Sequence, residues 1–489
     1  MVFKKHRGRA LRITVGIMAL MLLLAGGAVA ATLISSCGTI SSPGEYILTQ
    51  NIEDFSTDTC ITITSNDVVF DGANYVIDGV TKNYTYGVYV HSQLTALTNV
   101  TVKNIKVTDW HFGIYYLKVQ NGNITNSIVS LNGNESLSIV MNSTYRFYSG
   151  GISLDHSNDI TITDNTINSN NQSGISLSQS SNNNILKNNI DSNKFNGVML
   201  GNDSSDNNIE NNKVSNHSYE GISIIGSSNN IIKNNIIENN RAIENNQGGV
   251  VLGIWVINKS RGIEVYSNNN TLINNTINSN DPNGISLGRS YNNTLTNNTI
   301  NSNNQSGIFL SNSSNNNIEN NKVSNNRYGI RLSSSSSNNT IYNNYFSNIN
   351  NFRLRNSSGN RWNIEKISGI NIIGGSYLGG NFWASPNGTG FSQDCPDSNG
   401  DGICDSPYIL DGNNTDYLPL AYKPLNISKG DLNNNGVSAD AGDLVLMKRA
   451  STGEIQADPG YDLNGNGQDA DAGDLVLMKR ASTGEIILT

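Results

Sequence analysis

Apolar side chains recur along most of this chain in short alternating pieces set between Asn, Ser and Gly. The dipeptide Gly-Ile or Gly-Val, followed two residues later by another apolar residue, begins at Gly87, Gly113, Gly151, Gly174, Gly197, Gly221, Gly262, Gly284, Gly307 and Gly329. The cleanest steps between these motifs are 22 to 24 residues. Each unit reads roughly N-x-I-x-x-N-x-I-x-x-N-x-x-x-G-I-x-L. Pieces such as Ile175-Ser176-Leu177 and Ile285-Ser286-Leu287 alternate with the period of two that marks β-strands. Helical repeats need longer units and a 3.6-residue apolar stripe, and neither is present.

Short strands at a period of about 23 residues predict an all-β fold, a right-handed parallel β-helix. Each coil buries its Ile and Leu in a column, and neighbouring coils hydrogen-bond about 4.8 Å apart. Asn has a defined task in such a column. Asn165, Asn188, Asn212, Asn235, Asn275, Asn298, Asn321 and Asn344 stand two residues before the second Ile or Val of their units, or before Phe346 in the last. Stacked amides donate to one coil and accept from the next, and Asn tolerates tight turns. Residues 61–63, 68–72 and 75–79 read as the first coils. After Phe346 the phase fades through Trp362 and Ile364, which predicts a cap.

Composition agrees with this pattern. Asn fills 84 positions, charged residues make up only 14% and hydrophobic residues 36%, so the chain is not mainly helical. Disorder does not keep phase over ten repeats. Formal charge is −8, and the first 30 residues carry five Lys or Arg and no acid. Without them the balance is −13, which argues against nucleic acid as a partner.

Those five, Lys4, Lys5, Arg7, Arg9 and Arg12, precede an apolar run over 13–24 and a small-x-small site at Ala28-Val29-Ala30. The segment 1–30 reads as a cleaved export signal, the run being short for a membrane span. No other segment is expected to cross a membrane, so the mature protein is placed outside the cell or at its surface. The remaining divisions are a β-helix over 31–365, a cap over 366–427 and a small duplicated domain over 428–489. Four cysteines suit that compartment, with local pairing, Cys37–Cys60 and Cys395–Cys404, the simplest of three connectivities.

Two steps of the repeat are too long: 38 residues from Gly113 to Gly151 and 41 from Gly221 to Gly262. The excess falls near 134–149 and 242–260, just before the Gly-Ile strand in both cases. Both insertions are therefore expected on one side of the solenoid, where solenoids often place their binding face. The same point of the coil collects Trp110, His111 and Phe112, then Tyr145, Arg146, Phe147 and Tyr148, then Lys194 and Phe195, then His217, Tyr219 and Glu220, with Trp255 in the second insertion. Aromatic rings beside polar groups suit sugar rings, so a polysaccharide groove is expected on Trp110, His111, Tyr145, Phe195, His217, Tyr219 and Glu220. Asp155-His156, His111, His217 and Glu220 offer acid and base groups, but no catalytic residue is assigned. The seven Met and five His are scattered, which speaks against a copper centre.

Two kinds of Ca2+ loop follow. In residues 395–405, Asp397, Asn399, Asp401 and Asp405 place oxygen donors at alternate positions before a Gly, between two cysteines. The last 60 residues repeat at a period of 31: A-D-A-G-D-L-V-L-M-K-R-A-S-T-G-E-I occurs at 439–455 and again at 470–486. Each copy follows half an EF-hand-like loop, Asp431-x-Asn433-x-Asn435-Gly436 or Asp462-x-Asn464-x-Asn466-Gly467, and each ends in a short helix.

The duplicated segment, over about 429–489, resembles a type I dockerin. The resemblance implies two calcium ions and docking to a cohesin module on another protein. It would give Asp431, Asn433, Asn435 and the Val437 carbonyl to the first ion, and Asp462, Asn464, Asn466 and the Gln468 carbonyl to the second. The closing Asp stands at the thirteenth loop position here, as Asp443 and Asp474, where the family has it twelfth. Either the loop bulges by one residue or Asp440 and Asp471 contribute instead. Lys448, Arg449, Lys479 and Arg480 match the helix positions through which dockerins meet cohesins. The repeats over about 37–381 resemble the NosD-like, pectin-lyase-like β-helices, which include hydrolases, lyases and epimerases of polysaccharides. The clustered Asp-Asp and Gly-His-Gly signatures of the pectin hydrolases are missing. Three readings follow: a secreted carbohydrate-binding or carbohydrate-active β-helix held by its dockerin, a polysaccharide lyase or hydrolase with an unfamiliar site, or a glycosylated structural surface protein.

Overall fold

The computed structural model describes residues 30–80, 82–133, 150–201, 203–241, 250–252, 267–422, 429–433, 437–455 and 461–488. The export segment up to residue 29, the insertion 134–149 with Tyr145, most of the second insertion with Trp255 and Gly262, and Asn435 lie outside them. The chain divides into two compact units, one ending at Ala421 and the other beginning at Tyr422.

The first unit winds into a right-handed parallel β-helix, the hand that parallel crossovers take. Its three sheets have 13, 12 and 13 strands, and each strand pairs in parallel with its counterpart in the next coil. One coil shows the plan. Ser173–Ser178 lies in the Gly-Ile sheet, and Asn184–Leu186 and Asn189–Asp191 supply the other two faces. Ile175, Leu177, Ile185 and Ile190 point inward and are fully buried. Each such side chain contributes roughly 1.5–3 kcal/mol on burial.

The Gly of the motif is required by close approach. A Cβ on Gly174 would stand 2.8 Å from the Gly197 carbonyl oxygen, the Asn193 amide and the Ile190 side chain. The turns run on stacked polar side chains. Asn188 Oδ1 accepts from both the backbone N–H and the side-chain amide of Asn165, at 3.0 Å each. Its own Nδ2 donates to the Ile162 carbonyl and to Asn212 Oδ1. The expected column of eight Asn is thus a buried ladder, and it runs on to Asn381. Two further Asn ladders and a Ser ladder stand beside it, for example at Asn207–Asn230, Asn280–Asn303 and Ser180–Ser204. The residue before each ladder Asn turns the chain with positive φ, as at Asn211 (58°) and Asn297 (56°), a region that Asn tolerates better than most residues.

The repeat is re-entered earlier than the Gly262 motif predicts. Val250–Leu252 pairs with Ile222–Ile224 on one side and Ile285–Leu287 on the other, so this strand takes that coil's place in the sheet. Cys37 and Cys60 form a disulfide 23 residues apart, one coil period, and so staple neighbouring rungs. Cys395 and Cys404 form the second disulfide. Both pairings follow the sequence expectation.

The solenoid runs past residue 365, because Phe382–Ala384 pairs with Tyr345–Ser347 and ends the 12-stranded sheet. Trp362 and Trp383 fill the end of the core, and α1 (Phe391–Asp394) and the hairpin Tyr408–Asp411/Asn414–Asp416 pack nearby. Asp416 lies fully buried there. Its Oδ2 accepts from the Asn381 N–H and the Trp383 indole N–H, both at 2.8 Å, and its Oδ1 accepts from the Leu418 N–H. Burial pushes its carboxyl up to about 7, against the pull of those N–H groups. A carboxyl raised on folding stabilises the native state while protonated. That stability is present below the unfolded value near 4 and is lost as pH rises through about 7, a change of roughly 4 kcal/mol. Urea unfolding should therefore show the cap weakening between pH 4 and 7, and Asp416→Asn should flatten that slope. An unchanged slope in the variant would refute the assignment.

In the second unit, α2 (Ala441–Ser451) and α3 (Ala472–Ser482) have identical sequences and identical caps. Asp440 and Asp471 cap them, each accepting from the N–H groups of the residues two and three places on. Met447, Met478, Leu463 and Tyr461 form their shared core.

Candidate functional site

In the motif G-I-x-L the x residue faces outward, because the residues on either side point into the core. In the two coils beginning at Gly87 and Gly113 that position is aromatic. Val88, Val90, Ile114 and Tyr116 are fully buried, whereas Tyr86, Tyr89, His91 and Tyr115 are only half-buried. The register sets Phe112 against Tyr86 and Tyr115 against Tyr89. The rings lie nearly parallel: Tyr86–Phe112 at 5.0 Å, Tyr89–Tyr115 at 5.4 Å, Tyr86–Tyr89 at 4.5 Å and Tyr89–His91 at 4.1 Å. Five aromatic side chains from two coils thus make one continuous platform on the Gly-Ile sheet.

A polar edge adjoins it on the next coil. Asp155 stands in register with Leu117, its Oδ2 accepts from the Tyr115 hydroxyl at 3.0 Å, and its Oδ1 lies 2.7 Å from His156 Nδ1. Burial, with the neighbouring Tyr86 and Asp155 charges, pushes Tyr89 up to about 12. Burial and Asp155 raise Tyr115 further. Both phenols therefore stay protonated at neutral pH and remain hydrogen-bond donors. Apolar ring surface rimmed by hydroxyl, carboxylate and imidazole suits a sugar, which offers a C–H face and a rim of hydroxyls.

The groove residues expected from sequence are placed differently. Trp110 is fully buried, its indole N–H donates to the Ile77 carbonyl, and its backbone N–H donates to Asn132 Oδ1. It stands at the foot of an Asn ladder and cannot offer its ring to a ligand. His217 occupies a rung of the same ladder, accepting from the Asn193 N–H while its own N–H donates to Asn240 Oδ1. His111 is also buried, its Nδ1 accepting from the Tyr84 N–H. Burial pulls both imidazoles down to about 4, so both are neutral near pH 7. Glu220 is buried as well. Phe195 and Tyr219 do come together, stacked at 4.6 Å and half-buried, one coil apart. Asn216, His217, Ser218, Asn239 and Arg241 line a depression close by in the chain. Tyr145 lies outside the described residues.

The acidic loop of the cap is tied up by its own chain. Asp397 accepts from the Asp401 and Gly402 N–H groups, Asp405 accepts from Ser398, and Asn399 accepts from Asp401 N–H. Lys366 pairs with the Asp401 carboxylate and, with the loop N–H groups, holds it below its usual range despite burial.

The duplicated loops differ. Asp443 and Asp474 are fully buried at the first turns of α2 and α3. Each aims its carboxylate back at its loop, accepting from the Asn433 or Asn464 N–H at 2.9 Å. No Lys or Arg pairs with either among the described residues. Asp462 accepts from the Gly465, Asn466 and Gly467 N–H groups, which curls the loop around it. Asp440 and Asp471 are engaged as helix caps, so the buried carboxylates of Asp443 and Asp474 are the better candidates to close each loop. This oxygen-rich donor set fits a hard divalent cation. Lys448, Arg449, Lys479 and Arg480 are exposed, and each Arg pairs with a nearby Glu, 3.2 Å from Glu454 and 2.9 Å from Glu485. Among the described residues no three His, Cys, Asp or Glu cluster as a metal site, and no helix is long and apolar enough to cross a membrane.

Comparison with known proteins agrees with this architecture. Residues 43–214 match a family model described as right handed beta helix region, and residues 242–388 match one described as periplasmic copper-binding protein (NosD). The chain is a parallel β-helix repeat protein. No curated protein matches it. Among solved structures, the Dettilon tailspike protein is 16% identical with a TM-score of 0.47 over 69% of this chain, and the match spans 64% of the tailspike's length. The periplasmic alginate epimerase AlgG is 16% identical with a TM-score of 0.42, over 71% of this chain and 85% of its own. DFA-IIIase from Arthrobacter chlorophenolicus A6 is 12% identical with a TM-score of 0.42, over 63% of this chain and 89% of its own.

Proposed function

We propose that this protein is a secreted polysaccharide-binding β-helix that is anchored through a C-terminal dockerin-like module to a cohesin-bearing partner. The observation that carries the reading is the outward platform of Tyr86, Tyr89, His91 and Tyr115, stacked with the buried Phe112 ring. Five near-parallel rings held on rigid strands lose little entropy on binding a sugar chain, and the Asp155–His156 edge supplies directional hydrogen bonds. The basic and apolar N-terminal segment and both disulfides support export.

The duplicated loops would hold calcium through Asp431, Asn433, Asn435 and Asp443 in one copy and Asp462, Asn464, Asn466 and Asp474 in the other. Bound calcium supplies the positive charge that balances the two buried carboxylates. The exposed Lys448–Arg449 and Lys479–Arg480 pairs then lie on helices of fixed position and present the same chemistry twice.

Tyr89→Ala with Tyr115→Ala should weaken retention on the recognised glycan by about tenfold or more in affinity electrophoresis. The fold should survive, because both rings face outward. Equal retention of wild type and double variant on every glycan of a broad panel would remove the platform from the function. A second reading, processing of the bound glycan, rests on the Tyr115–Asp155–His156 chain, which joins a donor, a carboxylate and an imidazole. Reducing-end and unsaturated-product assays on a retained glycan distinguish it from binding alone.

A further inference from the structure

The same outward column that carries Tyr89 and Tyr115 ends in arginines. Followed rung by rung, the register leads from Tyr115 through Ser153, Ser176, Met199, Ser223, Val251, Ser286 and Phe309 to Arg331 and then Arg353. Arg331 lies eight rungs beyond Tyr115, roughly 40 Å along the solenoid at the usual strand spacing. In the neighbouring column Tyr328 stands between Ser306 and Asn350.

These side chains interleave cations with rings. The Arg331 guanidinium lies 4.4 Å from the centre of the Phe309 ring. Arg353 and Arg327 both lie over Tyr328, at 5.1 Å and 5.4 Å, and Arg353 Nη1 donates to the Tyr328 hydroxyl at 3.0 Å. Arg355 follows on the same strand edge and is exposed. No Asp or Glu occurs in Ile285–Gly288, Ser306–Ser311, Tyr328–Ser333 or Asn350–Leu354. No ion pair among the described residues engages Arg327, Arg331, Arg353 or Arg355. Arg331 Nε is buried without a hydrogen-bond partner. Burial and the charges of Arg353 and Arg355 pull the Arg331 guanidinium down from its ordinary value.

Uncompensated like charges packed this closely cost stability, and a protein of net charge −8 has carboxylates in plenty to pair with them. Their absence from this face among the described residues leaves a ready receptor for oxyanions. Arg binds carboxylate or sulfate through paired N–H groups, and the half-buried Tyr328 adds ring surface for sugar C–H faces. The acidic remainder of the chain disfavours an extended nucleic acid. We propose that the Arg327–Arg331–Arg353–Arg355 face is a second glycan site, which binds the carboxylate or sulfate groups of an acidic polysaccharide. The site stands on its own residues and does not depend on the tyrosine platform.

The test uses the full chain in affinity electrophoresis against polygalacturonate, its fully methyl-esterified form, dextran sulfate and single-stranded DNA. Wild type should bind at least one of the two acidic glycans about tenfold more tightly than the esterified polymer, and added salt should weaken that binding. Preference between polygalacturonate and dextran sulfate tells carboxylate from sulfate. Arg331→Gln with Arg353→Gln should abolish the preference, and the exposed Arg355→Gln, which leaves the packing intact, should reduce it. Tyr89→Ala with Tyr115→Ala should leave it in place, so failure of the platform and failure of this site are separable. Equal binding of charged and esterified polymer, an unaltered preference in both arginine variants, or equally tight binding of the DNA would overturn the proposal.

Discussion

Asn298→Asp should destabilise the solenoid by several kcal/mol, although it exchanges one amide for a carboxyl of the same shape. Asn298 Oδ1 accepts from the Asn275 N–H and side-chain amide, at 3.0 Å each. Its Nδ2 donates to the Leu272 and Thr296 carbonyls and to Asn321 Oδ1. An oxygen in place of that Nδ2 faces three acceptors, and a negative charge would be buried at a position only 1% exposed. Asn298→Ala loses the same bonds and takes away the acceptor of the Asn275 N–H and side-chain amide, at about 1–3 kcal/mol for each buried group left unpaired. Asn297, its neighbour, is exposed and turns the chain at φ 56°, a conformation Asp also tolerates. Asn297→Asp should therefore change stability by well under about 1 kcal/mol. Equilibrium urea unfolding of the three variants decides the matter. The ladder would lose its assigned role if Asn298→Asp unfolded within 1 kcal/mol of wild type, a margin of roughly one weak hydrogen bond.

Removal of calcium should unfold the second unit and leave the first in place. Asp443 and Asp474 bury carboxylates that no Lys or Arg pairs with among the described residues, and the loops around them are built from oxygen donors. A ligand at a thousand times its dissociation constant stabilises the form that binds it by about 4 kcal/mol, which is a large share of the stability of so small a unit. Chelation should therefore abolish a separate calorimetric transition that calcium restores. Titration should count two ions per chain in the wild type and one in Asp474→Asn. A chain that takes up no calcium, or melts identically with and without chelator, would end the dockerin-like reading. The solenoid gives an internal control, since its first unit rests on ladders and apolar burial.

Much of this architecture was legible in the residues because a solenoid writes one coil over and over. The spacing of Gly174, Gly197, Gly284 and Gly307 announced the coil, and the ladder Asn announced the turns. The disulfide between Cys37 and Cys60 was expected as part of the simplest local pairing, and its separation of 23 residues proves to be one coil period. The site was less legible. Trp110 and His217 are unusual at their turns, and unusual residues attract a functional reading. Their backbone N–H groups nevertheless donate to the next rung's Asn, which puts both side chains inside the column. Inward and outward turn positions differ by one residue, and only the coil-to-coil register separates them. The tyrosine platform left a signal that was readable all along: the x of G-I-x-L is Ser in four of the ten motifs, but Tyr at 89 and 115 and Arg at 331. The Gly262 motif read as a coil start, but Val250–Leu252 takes that coil's place in the sheet.

By itself the sequence determined the repeat, its period, its strand content and the duplicated loop and helix at the end, because these depend on local preference and recurrence. Which side chains meet across coils was decided by the tertiary structure alone. Tyr89 and Tyr115, or Arg331 and Arg353, are 26 and 22 residues apart along the chain yet one rung apart in space. Stacking at that distance converts isolated rings and charges into surfaces, and no local pattern can report a neighbour that the winding supplies.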